Sequence, residues 1–345
     1  MSRLLEVTAL EVEFDTPEGV VKAVNGLNFG IDQGESLAIV GESGAGKSQL
    51  MLAIMGLLAE NGRARGRAVF RGEDLMQLKP QELNRIRGKH IAMIFQDPMT
   101  SLNPYLTIER QMNEVVMHHQ GLRRDEARAQ SIEMLRAVRI PDAEERIRQY
   151  PHEYSGGMRQ RVMIAMGLLC QPELLIADEP STALDVTVQA QITQLIGELS
   201  AQTNMSMILI THDLAVVAEV CQRIMVMYAG EVVETGSADD IFYRPQHPYT
   251  RGLLDSVPRL DKAEDHLHAI PGNPPNLQDL PAGCRFRDRC REAMDKCHRS
   301  PPLWVSDDGR SSRCFLPMEG GRLAAGESWS EIPPAGAKEN PEDSA

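Results

Sequence analysis

Apolar and polar positions change rhythm several times along the chain, and each change predicts an element. Leu5, Val7, Val12 and Phe14 alternate with polar neighbours, the run Thr16-Pro17-Glu18-Gly19 breaks the chain, and Val20, Val21, Val24 and Ile31 follow. Period-two alternation around a turn predicts an antiparallel β layer. Ser36-Leu37-Ala38-Ile39-Val40 then has no polar face, as expected of a short strand covered on both sides in a parallel sheet. After a glycine-rich loop, Leu50, Leu52, Ala53, Ile54 and Leu57 return at helical spacing. Residues from about 104 to 170 read mostly as amphipathic helix, as at 126–138, with interruptions at Pro141 and Pro151. Two more apolar runs, Leu174-Leu175-Ile176-Ala177 and Met207-Ile208-Leu209-Ile210, flank a helical stretch at about 186–202. Strands alternating with helices predict an α/β fold around a largely parallel sheet, with a helical subdomain at 104–170.

Beyond Gly236 the pattern gives way to proline. Pro245, Pro248, Pro258, Pro271, Pro274, Pro275 and Pro281 leave little room for long helices before a cysteine cluster. From Met318 the tail is Gly, Ala, Ser, Glu and Pro, with acids such as Glu319, Glu327, Glu331 and Glu339 against Arg322 and Lys338. It has too little apolar surface to bury, and disorder is expected over 318–345.

The 345 residues suit two domains, or one large α/β domain with appendages. Lys and Arg number 36 against 49 Asp and Glu, a formal charge of −13. That balance disfavours nucleic acid as the main partner, and the cluster Arg63-Ala64-Arg65-Gly66-Arg67 reads as solvated surface. No apolar run approaches the ~18 residues of a membrane-spanning helix. Acidic residues Glu6, Glu11 and Glu13 interrupt the N-terminus before a signal-peptide core can form, so a cytoplasmic address is expected. Cys170, Cys221, Cys284, Cys290, Cys297 and Cys314 are then thiols or metal ligands. Cys170 and Cys221 lie in apolar helical contexts and read as core.

Three motifs carry chemistry. Gly41-Glu42-Ser43-Gly44-Ala45-Gly46-Lys47-Ser48 fits a glycine, four free residues and Gly-Lys-Ser, between an apolar strand and an apolar helix. There, backbone N–H groups can wrap phosphates at the positive end of a helix dipole, Lys47 reaching the β/γ phosphates and Ser48 a Mg²⁺. Leu174-Leu175-Ile176-Ala177-Asp178-Glu179 delivers two acids at the end of a buried strand. Asp178 is the expected Mg²⁺ partner and Glu179 is placed to polarise an attacking water. Ser155-Gly156-Gly157-Met158-Arg159-Gln160 opens an apolar helix.

Together and in this order, these elements resemble the ABC-transporter ATPases. The resemblance covers residues 4–236 and implies a P-loop NTPase cassette over 1–236. It adds Phe14 as adenine-stacking aromatic, and Gln96 as the glutamine linking nucleotide, Mg²⁺ and transmembrane partner. It also implies Ser155, Gly156 and Gly157 as signature, Ala183-Leu184-Asp185 as the loop facing a second subunit, and His212 as switch histidine. ATP would be bound by Gly41, Ser43, Gly44, Gly46, Lys47, Ser48, Gln96 and Asp178, with catalysis by Glu179, His212 and Gln96. Tyr154 stands where the family has leucine, and Met158 where it has glutamine.

Two further stretches, Gln96-Asp97-Pro98-Met99-Thr100-Ser101-Leu102-Asn103-Pro104 and His247-Pro248-Tyr249-Thr250-Arg251-Gly252-Leu253-Leu254, are similar to ATP-binding subunits of the oligopeptide and dipeptide permeases. The likeness is greatest to the D-type oligopeptide subunits, and it implies a C-terminal extension over 237–317. It also implies a second, paralogous ATPase, two transmembrane permease subunits, an extracytoplasmic peptide-binding protein, and a peripheral place on the cytoplasmic side of the inner membrane. Cys284, Cys290, Cys297 and Cys314 form a candidate four-thiolate site, spaced without the tight two-residue pairs common in zinc modules. A [4Fe–4S] cluster is what the resemblance implies; zinc and unliganded thiols stay open. So do dipeptide, nickel or glutathione import, a soluble ABC ATPase outside transport, and a nucleotide-binding regulator without turnover.

Overall fold

The computed structural model describes residues 3–96, 101–180, 185–256, 269–316, 318 and 320–324. Strands β1 (Arg3–Thr16) and β2 (Gly19–Asp32) form the expected hairpin, with Phe14 opposite Val21 and Thr16 opposite Gly19. The layer also takes in β4 (Gly62–Phe70) and β5 (Glu73–Asp74), in the order β2-β1-β4-β5. The basic cluster therefore lies on a strand. Arg63, Arg65 and Arg67 alternate outward, while Ala68 and Phe70 are buried, so the solvated reading holds for the side chains although the strand itself was hidden behind them.

The second sheet has nine strands. At its centre β3 (Ser36–Val40), β6 (Ile91–Ile94), β7 (Leu174–Asp178), β8 (Ser206–Thr211) and β9 (Arg223–Tyr228) run parallel in the order β6-β7-β8-β3-β9. Their apolar runs feed two cores, as pleating requires. Leu37, Ile39, Leu174, Ile176, Ile208 and Ile210 pack towards the antiparallel layer. Ala38, Val40, Leu175, Ala177, Met207 and Leu209 pack towards the helices on the other face. Those helices include Ile108–Gln120, Arg124–Ala137 and Gly156–Leu168, within the expected 104–170. The helix between β7 and β8 runs Val186–Thr203.

The far edge turns antiparallel. Strand β10 (Glu231–Ser237) pairs with β9, then β12 (Ser311–Arg313), β11 (Leu303–Val305) and β13 (Arg322–Leu323) continue the sheet. The C-terminal region thus extends the central sheet. Arg322–Leu323 falls in the stretch expected to be disordered, yet pairs with Trp304 and Val305; residues 325–345 lie outside those described. No helix among the described residues is long and apolar enough to cross a membrane.

Candidate nucleotide site

Register brings the motifs to one edge. Val40 is paired with Thr211, and Asp178 with Ile210, so the loops after β3, β7 and β8 leave the sheet side by side, where open α/β sheets bind ligands. The loop after β3 enters the helix Lys47–Ile54 through Gly46, at φ 94°. A methyl on Gly46 would meet the Ala23 carbonyl oxygen at 2.1 Å, whereas Gly44, at φ 80°, faces open space. The turn therefore presents backbone N–H groups and a helix N-terminus without side chains in the way. Lys47 Nζ donates to the carbonyls of Gly41 at 2.7 Å and Glu42 at 3.0 Å, and is 5% exposed. Burial pushes the pKa of its ammonium down, with the carboxylates of Glu179, Asp178 and Glu42 acting the other way.

Ser48 Oγ donates to Asp178 Oδ1 at 2.9 Å. Burial raises the Asp178 pKa, the Ser48 hydrogen bond opposes it, Glu179 adds to it and Lys47 opposes it. A hydroxyl and a carboxylate oxygen so close are hard donors of the kind Mg²⁺ takes. Glu179 sits at φ 44°, its N–H donating to Ile210 O at 2.9 Å. Such a left-handed residue costs about 1–2 kcal/mol, and here the turn aims the carboxylate between two partners. Gln96 Nε2 donates to Glu179 Oε2 at 3.0 Å, and His212 Nδ1 approaches Oε1 to 3.5 Å. Beside them a gap of about 10 Å³, lined by Glu179, Thr211, His212 and Asp213 among others, is near the smallest space that holds one water.

Ser155 caps the helix Gly156–Leu168, its Oγ accepting from the Met158 N–H at 3.3 Å. Ser155 and Gly156 are exposed. The helix is tied to the acidic segment by Gln160, which is fully buried and donates to the Pro180 carbonyl. Tyr154 is buried, its hydroxyl donating to Arg146 O at 2.7 Å. Phe14 is half-buried on the antiparallel layer, over Gly62, where a methyl would meet its ring at 2.7 Å. Asp185 accepts from the Val188 N–H at 3.0 Å; Ala183, Leu184 and residues 97–100 lie outside those described.

Sequence reasoning missed the contacts of Glu42. Its carboxylate is gripped by Arg289, Nη1 to Oε2 at 2.6 Å and Nη2 to Oε1 at 2.9 Å, and its N–H donates to the Tyr249 hydroxyl at 2.9 Å. Glu42 occupies a free position of the motif, and no local pattern pairs it with a residue 247 positions away.

The four candidate cysteines are free and line one pocket, with His247, Phe286, Met294 and Phe315. Shared location is therefore found, but ligating geometry is not. Among the described residues no group of three or more His, Cys, Asp or Glu is close enough to hold a metal ion, and the pocket encloses about 10 Å³, room for little more than one water.

Comparison with known proteins agrees with this geometry. The ABC transporter family model matches residues 24–182, and a model described as the oligopeptide/dipeptide transporter C-terminal region matches 233–297. The oligopeptide transport ATP-binding protein OppD of Salmonella typhimurium is 57% identical over 92% of this chain and 94% of its own length. The dipeptide transport ATP-binding protein DppD of Bacillus subtilis is 50% identical over 92% and 95%. Among solved structures, the dimeric post-hydrolysis state of the ATP-binding cassette MJ0796 bound to ADP and Pi aligns with TM-score 0.61 at 26% identity, covering 68% of this chain and 98% of that one.

Proposed function

Because the chain belongs to the ABC transporter family of ATP-binding subunits, which hydrolyse ATP to drive transport, we propose that it powers import of oligopeptides. The observation that carries the reading is the convergence of Lys47, the Ser48–Asp178 pair and Glu179 on one sheet edge. Identity of 56–57% to the OppD proteins of Salmonella typhimurium, Haemophilus influenzae and Escherichia coli supports oligopeptides as the cargo.

The residues suggest a division of labour. ATP phosphates enter the loop formed by Gly41, Ser43, Gly44 and Gly46, and the Lys47 ammonium leaves its two carbonyls for the β/γ oxygens. Ser48 and Asp178, with Gln96, would hold Mg²⁺, which neutralises charge on those oxygens when bound. Glu179 polarises a water in the neighbouring gap for attack on the γ-phosphorus, the bond to the β–γ bridging oxygen breaking as the new one forms. His212, beside the same carboxylate, orients that water and the γ-phosphate. Phe14 supplies an apolar face for the adenine.

One chain leaves the site open. Ser155, Gly156 and Gly157 cap the nucleotide of a second, paralogous ATPase, and the second subunit caps this one; the exposure of Ser155 and Gly156 and the dimeric assembly of the MJ0796 cassette support this. An apolar groove of about 310 Å³, with Leu57 and Phe95 at its lip, suits a segment of a permease subunit. Phe95 precedes Gln96, which touches Glu179, so an occupant sits one residue from the hydrolytic carboxylate. Two permease subunits and an extracytoplasmic peptide-binding protein complete the assembly, with this chain on the cytoplasmic face of the inner membrane.

Cys284, Cys290, Cys297 and Cys314 are the residues that would hold a [4Fe–4S] cluster. Four free thiols line one pocket, but no three of them stand in ligating range, so they must converge and the pocket open to admit a cluster, and no catalytic step runs through it. Iron and sulfide analysis of anaerobically purified protein tests this, and absence of both would remove it. For the main reading, the purified chain should bind ATP and release phosphate in a Mg²⁺-dependent way. No nucleotide binding would reject it.

A further inference from the structure

Every polar group of Glu42 is engaged, and the partners of its N–H and of its carboxylate both come from the C-terminal region. The carbonyl accepts from Lys47, the N–H donates to Tyr249, and the carboxylate takes both prongs of Arg289. Arg289 in turn spends its remaining donors on the carbonyls of Pro271 at 2.9 Å and Ile270 at 3.4 Å and the Tyr228 hydroxyl at 3.3 Å. Its side chain is only 6% exposed. Tyr249 is fully buried, its ring 4.6 Å from Tyr228 and 5.3 Å from Phe286.

The placement matters because Glu42 lies inside the phosphate loop. Left unpaired, its carboxylate would face the charge of a bound triphosphate or draw the Lys47 ammonium away from it. A planar fork with two parallel contacts both neutralises the carboxylate and fixes its direction, which a lysine cannot do.

We propose that the C-terminal region is part of the nucleotide site, with Arg289 and Tyr249 acting as positioning residues that hold Glu42, and through it the phosphate loop, in the form that accepts ATP. The inference rests on the ATP-binding reading above. It also gives the region a role in the chemistry of the cassette: the short turn Arg287–Arg289 that carries the guanidinium is flanked by Cys284 and Cys290, so the thiol pocket lies beside the residue that grips the loop.

The test is ATP affinity of the full-length chain, by calorimetric titration, with the hydrolysis rate at saturating ATP and the thermal midpoint measured alongside. Arg289→Met should weaken ATP binding by about 10- to 100-fold while the saturated rate stays within about threefold of wild type. The double variant Glu42→Gln/Arg289→Met, which removes both charges but also the two-pronged hold on the loop, should stay weak, within about threefold of Arg289→Met. If Arg289→Met does not fold, Arg289→Lys serves, and loss of the two-pronged contact should weaken binding by about 3- to 10-fold. A purely structural salt bridge would lower the thermal midpoint and leave ATP affinity unchanged, and that result overturns the proposal. So does a double variant that regains wild-type affinity, which would make the unpaired charge, and not the hold on the loop, the cause of weak binding. Wild type that binds no ATP would instead reject the functional reading itself.

Discussion

Glu179→Gln separates binding from hydrolysis with the least disturbance to the site. The amide has the carboxylate's shape, so the backbone turn at φ 44° and the N–H bond to Ile210 are kept. Its oxygen can still accept from Gln96 Nε2, the 3.0 Å contact of the wild type. What is lost is the negative charge facing His212, a side chain 63% exposed, where an exposed pair contributes at most about 1 kcal/mol, and an attraction to the buried Lys47 ammonium that is offset by relief of repulsion on Asp178. Folding should therefore be close to unchanged. Removing a negative charge beside the phosphates leaves ATP affinity equal or improved. On the role proposed for Glu179 the attacking water would lose its base, and positioned general-base catalysis typically supplies about 10²–10⁴ in rate, or about 3–5 kcal/mol of barrier. The assay is steady-state phosphate release at saturating Mg-ATP, paired with ATP titration and a thermal melt. Hydrolysis within about threefold of wild type, with binding intact, would refute the role given to Glu179.

Ser48→Ala removes the hydroxyl that donates to Asp178 at 2.9 Å; the Mg²⁺ concentration for half-maximal hydrolysis should rise about tenfold or more, at a cost of about 1–3 kcal/mol, and an unchanged Mg²⁺ dependence would contradict the pairing. Gly44→Ala meets open space at a left-handed φ and should cost about 1–2 kcal/mol in urea unfolding, whereas Gly46→Ala drives a methyl to 2.1 Å from a backbone carbonyl and should cost more; the reverse order would be wrong for this loop. His247 is fully buried with its pKa pushed down to about 3 by desolvation, and its Nδ1 accepts from the Tyr249 N–H at 3.0 Å. The unfolded chain therefore binds a proton there from about pH 6.5 downward that the folded chain refuses, so this histidine's share of stability falls by up to about 1.4 kcal/mol per pH unit on acidification towards its folded value. The buried Glu234, whose pKa is raised by desolvation, acts with the opposite sign. Denaturant unfolding at stepped pH should accordingly give a shallower slope for His247→Gln than for wild type, and identical slopes would remove the claim.

Local patterns carried the centre of the molecule because its chemistry is local. A strand covered on both faces must be apolar where it is covered, and the runs at 37–40, 174–177 and 207–210 are so. The phosphate loop needs its glycines, its Lys47 and its Ser48 within eight residues. Asp178 and Glu179 are adjacent because the end of a strand places them. What stayed hidden depends on distant partners. Strand β4 was masked by arginines on its outward positions, and Arg322–Leu323 is too short to announce itself without Trp304 and Val305 beside it. Glu42 looked like a free position of a loop, and only the fold brings Arg289 and Tyr249 to it. The cysteines were readable as a set, and the structure places them around one pocket without bringing three of them into ligating range.

The most direct measurement is ATP hydrolysis by the assembled transporter: this chain with the second ATPase and permease subunits proposed above in proteoliposomes, supplied with binding protein loaded in turn with oligopeptide, dipeptide, glutathione or nickel. Hydrolysis that rises with oligopeptide-loaded binding protein, exceeds the response to the other three, and vanishes with Glu179→Gln is the predicted result. A rate indifferent to peptide, or one stimulated instead by nickel or glutathione, would contradict the account.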